Sequence, residues 1–525
     1  MRYCLIFSLI AAVQLSVACS SKSDSPPLAS AGQSNGSAGT SGAVASGGSG
    51  EASAGSSGSS GSSLGGAGGR AGNAGAAGAV AGAPGHRSSV VVTSRFPAVA
   101  GTACADAPLR LSFSAPVTVG STGKIQVFKA SAPSTPVDVI DLAVTPERNT
   151  IGGRPFYRVR PIFIEGADAV IYFKNKAIAE PGAYFVNVDS GVFVDANQHP
   201  LPAITGADVW PFSTVAPAPA DPTQLRVARE GENGFCTVQG AVDYVPAANM
   251  TPTTITIAKG TYHEVVYIAA KHNLTFHGED RKTTIIAYPN NDALQMKLGT
   301  AYRAMVEAEG SNGLVFENLT LHNTTPQGGS QAEALRIEPG DKAILRDADF
   351  VSTQDTLLLT GRVFVSNSYV EGNVDFIWGK GTAYFDKSQI KTVGRAGYLV
   401  QSRNGLNYGY VFVDSTLSTS GAVTNGTLLA RIEGDRFPAS NVAFVNCKLG
   451  SHIAPKGWLI TNSTGNPVAS LDLTQLKFWE YQSTDLDGAP TDVSQRDPAS
   501  RQITAREAST LRDKATVLAG WDPTL

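Results

Sequence analysis

Charge is scarce in this 525-residue chain. Asp, Glu, Lys and Arg make up 16% of it and leave a net charge of −3. No run of Lys or Arg stands out, which excludes the electrostatic footprint of a nucleic-acid binder. After the first twenty residues no apolar run is long enough to span a bilayer, so a multi-span membrane protein is excluded. Only five cysteines occur, without a CxxC pair or a Cys/His cluster, and no metal site is expected. There is no G-x-S-x-G elbow, which disfavours a serine hydrolase of the α/β type. His263, His272, His277, His322 and His452 are scattered and read as surface or packing residues.

What is present begins with a targeting pattern. Residues 1–18 carry Arg2, an apolar run from Leu5 to Val13 and small residues before Cys19, the layout of a secretory signal. Leu15-Ser16-Val17-Ala18-Cys19 resembles a bacterial lipobox, which implies lipid attachment at Cys19. Ser16 stands where an aliphatic residue is usual, so plain secretion stays open. Residues 19–88 are Gly/Ala/Ser-rich and nearly uncharged: 19 of the 55 glycines fall between Ala31 and Ser88. Such a stretch cannot bury a core and reads as a disordered linker, with a reach of roughly 45 Å. The expected location is secreted or cell-surface, as a bacterial (outer) membrane lipoprotein that meets the membrane through its anchor alone. Cys104, Cys236 and Cys447 remain for the folded part. They allow one disulfide without fixing the pair.

Residues 89–216 alternate apolar and polar side chains. Leu109, Leu111 and Phe113 form one face, Tyr184, Val186 and Val188 another, and Asp195-Ala196-Asn197 reads as a turn. This is the period of half-buried strands and predicts a β-sandwich. The segments "LRLSFSAPVTV" and "YFVNVDSGVFVDANQHPL", ending at "WPFST", resemble bacterial immunoglobulin-like (Ig-like) domains, which implies a spacer or binding module. Residues 217–224 form a Pro/Ala-rich linker into the unit at 225–525.

That last unit repeats itself. "FENLTL" (316–321), "LRDADF" (345–350), "VSNSYV" (365–370), "FDKSQI" (385–390), "FVDSTL" (412–417) and "FVNCKL" (444–449) each start and end apolar around a polar third position. Those positions are Asn318, Asp347, Asn367, Lys387, Asp414 and Asn446. The spacing suits a parallel β-helix with loops inserted on some coils, the polar residue turning the chain and the apolar ones filling the coil. Asp355 and Asp375 fall at the same place on consecutive coils. Stacked coils lie about 4.8 Å apart, so two carboxyls would be close neighbours and one would resist ionisation. A protonated acid beside a carboxylate is a usable catalytic pair.

"GTYHE" (260–264), "QAEAL" (331–335), "QDTL" (354–357), "DFIWG" (375–379), "QSR" (401–403), "HIAPKGW" (452–458) and "GWDP" (520–523), in that order, resemble the motifs of the pectin methylesterase (pectinesterase) family. "VAREGENGFCTVQGAVDYVP" (227–246) is similar to its first strand and helix. The resemblance implies an all-β chain with a right-handed parallel β-helix preceded by the β-sandwich. It further implies hydrolysis of methyl esters on polygalacturonate, with no cofactor and no metal. By the same resemblance Asp375 matches the nucleophile, Asp355 the general acid/base, Gln331 and Gln354 the amides that hold the oxyanion, and Arg431 the arginine that positions the nucleophile. Tyr262 and Glu264 read as residues that hold the fold.

The chain departs from the family after Arg431, where Ile432 and Glu433 replace Pro and Trp. Trp378 or Phe437 is expected to supply the missing aromatic grip on substrate. Glu433 reads as an anion that would favour well-methylated, less charged stretches. The expected partner is methylated pectin, met by a monomer. Two other readings stay open at this point. One is a different β-helix activity: a pectate lyase, a polygalacturonase, or an esterase or thioesterase on a non-pectic acyl group. The other is a non-catalytic carbohydrate-binding surface protein.

Overall fold

The computed structural model describes residues 88–524 except 159–160, 175, 232–233, 300–301, 406, 422 and 469–471. The expected signal at 1–18, the lipid site at Cys19 and all but the end of the 19–88 linker lie outside the described residues. Among the described residues no helix is long and apolar enough to cross a membrane.

The alternating segments build two sheets. Val92–Phe96, Leu109–Phe113, Asp168–Ile171 and Ile162–Glu165 belong to one. Gly101–Cys104, Pro211–Val215, Gly182–Val188, Lys124–Lys129 and Pro136–Asp141 belong to the other. Leu109 and Leu111 from the first sheet meet Ile125, Val127, Val186 and Val188 from the second in one core, closed by Trp210 and Phe212. The buried indole of Trp210 donates to the Pro97 carbonyl at 2.9 Å, so its polar atom is satisfied.

From Gln224 onward the chain winds into a parallel β-helix with three sheets, one of eleven strands and two of eight. One coil contributes Ala343–Arg346, Asp349–Val351 and Leu357–Leu359. The next contributes Arg362–Ser366, Tyr369–Gly372 and Val374–Gly379, each pairing in parallel with its counterpart. Inside, like side chains stack at the coil spacing. The ring centroids of Phe276 and Phe316 lie 4.8 Å apart, those of Phe385 and Phe412 4.4 Å, and those of Phe412 and Phe444 4.7 Å.

The repeated polar position is the corner of each coil. Asn318, Asp347, Asn367, Lys387, Asp414 and Asn446 have φ of 55°, 52°, 45°, 47°, 50° and 52°. Asn and Asp tolerate this left-handed region better than other residues with a Cβ, which explains why they dominate the position. Gln482, at φ 47°, takes the same corner one coil later. The residue after each corner points inward. Ser388 Oγ accepts from the Ser368 amide at 3.4 Å, and Ser415 Oγ from the Ser388 amide at 3.1 Å. Cys447 is next in that column, fully buried, with burial pushing its thiol up to about 12. It is an inert packing residue.

Both ends of the coil stack are covered. At the start, the helix Val238–Tyr244 is capped by Thr237. The amides of Val238 and Gln239 each donate to Glu264 at 2.9 Å, while Tyr262 donates its hydroxyl to the Ala258 carbonyl at 2.9 Å. These two residues of "GTYHE" thus tie the first coils together. Burial pushes the Glu264 carboxyl up to about 7. The sandwich joins here through the disulfide Cys104–Cys236. Asp106 supports it, accepting from the Thr237 amide at 2.8 Å and the Thr237 hydroxyl at 2.6 Å. At the far end, the helix Ala505–Arg512 opens with a Thr504/Glu507 capping box. It packs Ala508 and Leu511 against outward-facing Val411, Val413, Ala443 and Val445.

Candidate active site

The site lies along one of the eight-stranded sheets. Leu335, Leu357, Ile377, Val400 and Ala430 pair in register across five consecutive coils and point into the core. One residue further along, Trp378, Gln401 and Arg431 stand side by side on three neighbouring coils. Two residues back from the first three lie Glu333, Asp355 and Asp375, an acid on each of three successive coils.

Asp355 and Asp375 are therefore brought together as the coil register requires. The Asp355 amide donates to the Val374 carbonyl at 3.1 Å, and Gln354 bridges in parallel to Val374. Both acids are buried, and both sit at positive φ, 63° and 47°. At Asp375 the pairing also slips, with a register shift between Val374 and Ile377. Bulges of this kind break the pleat and re-aim a side chain, and they recur beside active sites.

Arg431 grips Asp375 with a fork. Its Nε donates to Oδ1 at 2.7 Å and its Nη2 donates to Oδ2. The guanidinium also lies over the Tyr398 ring, 5.1 Å from its centroid. A bidentate pair fixes orientation as well as charge. Asp355 is held differently, by Arg303, whose Nη2 donates to Oδ2 at 2.8 Å. Burial pushes the Asp355 carboxyl well above its ordinary value. Arg303 and Arg403 pull it down, and Glu333 and Asp375 push it further up. The two aspartates thus differ in the way acid–base work needs: one clamped by a fork, the other inclined to keep a proton.

Gln331 and Gln354 are half-buried on the coils beside this pair. The Gln354 carbonyl accepts from the Ala332 amide at 3.2 Å. The Gln331 side chain uses only its amide oxygen, accepting from the Ser330 hydroxyl at 3.2 Å. Among the described residues neither side-chain NH₂ is committed, which leaves both as donors for a ligand oxygen. Trp378 lies between two cations, Arg403 at 4.8 Å and Arg303 at 5.4 Å from its ring centroid. Its indole N–H is buried without a partner among the described residues. Phe437 is half-buried beside Arg436, 5.4 Å from its ring, and makes no described contact with the Asp pair.

Glu433 requires a correction. It is 7% exposed, accepts from Arg436 Nη1 at 3.0 Å and lies 3.8 Å from Arg403. Two guanidiniums answer its charge, so the anion that the sequence reads as favouring well-methylated stretches is paired within the protein. Sequence reasoning also passed over Arg303, Glu333 and Arg403. Glu333 had a signal, since it stands in "QAEAL" in column with the two aspartates. Arg303 had none, because its loop lies outside the repeat.

A family model described as pectinesterase matches residues 224–496. Pectinesterase 31 of Arabidopsis thaliana is 29% identical over 297 residues, covering 54% of this chain and 89% of that protein. Probable pectinesterase 8 of the same plant is 31% identical over 317 residues, covering 57% of this chain and 76% of its own. Among solved structures, the pectin methylesterase from carrot superposes with a TM-score of 0.50 at 24% identity, covering 58% of this chain and 95% of that one, a likeness of fold. The coiled parallel fold, the ordered motifs and a match spanning more than half of the sequence lead to one assignment: this chain belongs to the pectinesterase family and is an esterase.

Proposed function

We propose that this esterase demethylates methyl-esterified homogalacturonan, releasing methanol and leaving galacturonate carboxylates. Asp375 attacks the ester carbonyl carbon, and the electron pair of the C=O moves onto oxygen. The amides of Gln331 and Gln354 receive that oxyanion. As the oxyanion collapses, the bond to the methoxy oxygen breaks and Asp355 gives that oxygen its proton, forming methanol. The anhydride left on Asp375 is then opened by water. Asp355, now a carboxylate, takes the water proton, and both acids return to their starting states.

One observation carries this reading: a carboxylate clamped by a bidentate arginine stands one coil from a buried carboxyl that resists ionisation. A lyase would need a cluster of acids around calcium, and a glycosidase would need carboxylates placed about a glycosidic oxygen. Neither accounts for two uncommitted glutamine amides beside the pair. Trp378 supplies the aromatic surface for the sugar chain, with Phe437 as a second aromatic contact. The N-terminal residues support secretion with a lipid at Cys19, and the Ig-like sandwich serves as spacer or binding module.

The test is methanol release from methylated pectin by the full chain and by Asp375→Asn. Wild type should release methanol without unsaturated products, and the variant should fold with a lowered melting temperature, since Arg431 loses its counter-charge, and lose turnover by about 10³-fold or more. Unsaturated ends would replace the reading with a lyase. Unchanged turnover in Asp375→Asn would remove the mechanism.

A further inference from the structure

The acidic column has a third member that the reaction above does not use. Glu333 is fully buried one coil before Asp355. It is answered by Arg303, which enters from the loop ahead of the strand Val306–Glu309 and is itself buried. Arg303 Nε donates to the two Glu333 oxygens at 2.9 and 3.0 Å, and its Nη2 reaches Glu333 Oε1 at 2.8 Å. The same Nη2 donates to Asp355 Oδ2 at 2.8 Å, and Nη1 lies 3.6 Å from Asp292. One guanidinium is thus shared between a deeply buried glutamate and the candidate acid.

Building on the esterase reading, we infer that Arg303 and Glu333 are positioning residues of the reaction: Arg303 fixes the rotamer of Asp355 and directs its proton to Oδ1, while Glu333 offsets enough of the arginine's charge for Asp355 to keep that proton. The argument is one of donors and acceptors. Guanidinium has no acceptor, so Oδ2, which receives its N–H, is the oxygen left without the proton. Among the described residues Oδ1 has no hydrogen-bond partner and is the oxygen free to face methoxide. The Oδ1–H bond breaks as methanol forms, and Oδ1 recovers a proton from water when the anhydride opens. An unopposed arginine at this distance would hold Asp355 as a carboxylate, useless as an acid. Most of the polar contacts of Arg303 go instead to Glu333, which dilutes its pull.

The charged groups facing Asp355 are Arg303, Glu333, Asp375 and Arg403. Behind them stand Asp292 on Arg303, Arg431 on Asp375 and Glu433 on Arg403. Removing one charge moves the balance in a known direction. Glu333→Gln removes the main counter-charge of the arginine and leaves only Asp292 at 3.6 Å besides Asp355, so Asp355 should lose its proton at lower pH. The alkaline limb of kcat/KM for methanol release should then move to the acid side by about one unit or more, with KM changing less than about twofold. Arg303→Gln should move that limb to higher pH and lower kcat about tenfold.

Either single variant leaves a buried charge alone and is at risk of unfolding. The apolar double variant Arg303→Met/Glu333→Leu avoids this. It should fold, lose about tenfold or more in kcat and shift the limb less than Glu333→Gln does. Folded variants with the wild-type limb and wild-type kcat would overturn the inference and leave the pair a purely structural one. Infrared difference titration of the Asp355 carboxyl, assigned with Asp355→Asn, reads the same displacement without turnover. If wild type releases no methanol, the esterase reading fails, and the titration still decides between displacement by Glu333→Gln, which supports the pair's hold on Asp355, and no displacement, which refutes it.

Discussion

Arg431 reaches Asp375 across an intervening coil: the strand Leu428–Glu433 pairs with Tyr398–Ser402, which pairs with Val374–Gly379, and the guanidinium spans the gap to both oxygens of the carboxylate. The contact is therefore one between rungs, and it depends on the β-helix keeping its register. A point charge on a flexible stem would satisfy the electrostatics without the orientation.

Arg431→Lys should accordingly retain part of the activity, and Arg431→Met should lose about 10²-fold or more in kcat. The methionine variant also strands a buried carboxylate, so its stability should fall by about 3 kcal/mol. Steady-state kinetics with urea unfolding separates the two effects. Equal activity in the lysine variant and wild type would show that the fork is not needed.

Gln331→Ala and Gln354→Ala should each lower kcat by about 10²-fold while leaving KM nearly unchanged, because an oxyanion donor acts in the transition state. Their side-chain NH₂ groups hold no described residue, so melting temperatures should stay close to wild type. A variant that instead raised KM alone would assign that glutamine to ground-state binding.

The Glu264 contribution to stability should fall as pH rises from about 4.5 to about 7, against the opposite contribution of His452, which burial lowers to about 4. Glu264 has a folded-state value of about 7 because of burial, against 4.5 when unperturbed. The folded state therefore binds the proton more tightly than the unfolded one. This contribution is complete below the unfolded value and is lost as pH rises through the folded one, a difference of about 3 kcal/mol. Asp106, raised in the same direction by burial, adds to the trend. Urea midpoints for wild type and Glu264→Gln at pH 5 and pH 8 check this: wild type should lose stability relative to the variant between the two values.

The disulfide closes a loop with a sequence separation of 132 residues. Loop-closure entropy assigns it about 5 kcal/mol. Cys104→Ser/Cys236→Ser should lower the urea midpoint strongly and leave kcat at 25 °C within about twofold, since the bond lies at the first coil and the acids lie further along. Loss of turnover in a folded double variant would place the joint in communication with the site.

Much of this was legible in the sequence because a β-helix converts period into position. The polar third residue of each repeat became the left-handed corner, and the twenty-residue step from Asp355 to Asp375 became a stacked pair. Alternation at Leu109, Leu111 and Phe113 and at Tyr184, Val186 and Val188 became the inner faces of the sandwich. What stayed hidden was whatever the period does not govern. Arg303 sits in a loop of irregular length, and only the folded chain brings it under Asp355. The choice of Cys236 over Cys447 for Cys104 was equally invisible, because Cys447 is claimed by the inward serine column. Glu433 misled for the related reason that its guanidinium partners, Arg403 and Arg436, lie on a neighbouring coil and in the following loop.

The Cys104–Cys236 joint has a mechanical consequence. A pull applied to the chain ahead of Val92 runs through the first strands to Cys104 and crosses the sulfur bridge into the first coil. The backbone between those two cysteines, which makes most of the sandwich and the connector at 217–224, sits in a covalent loop that the sulfur bridge bypasses. Drag on an enzyme held by its N-terminus would thus cross the sandwich only through Val92–Phe96 and Gly101–Cys104 before the sulfur bridge hands it to the stacked ribbon.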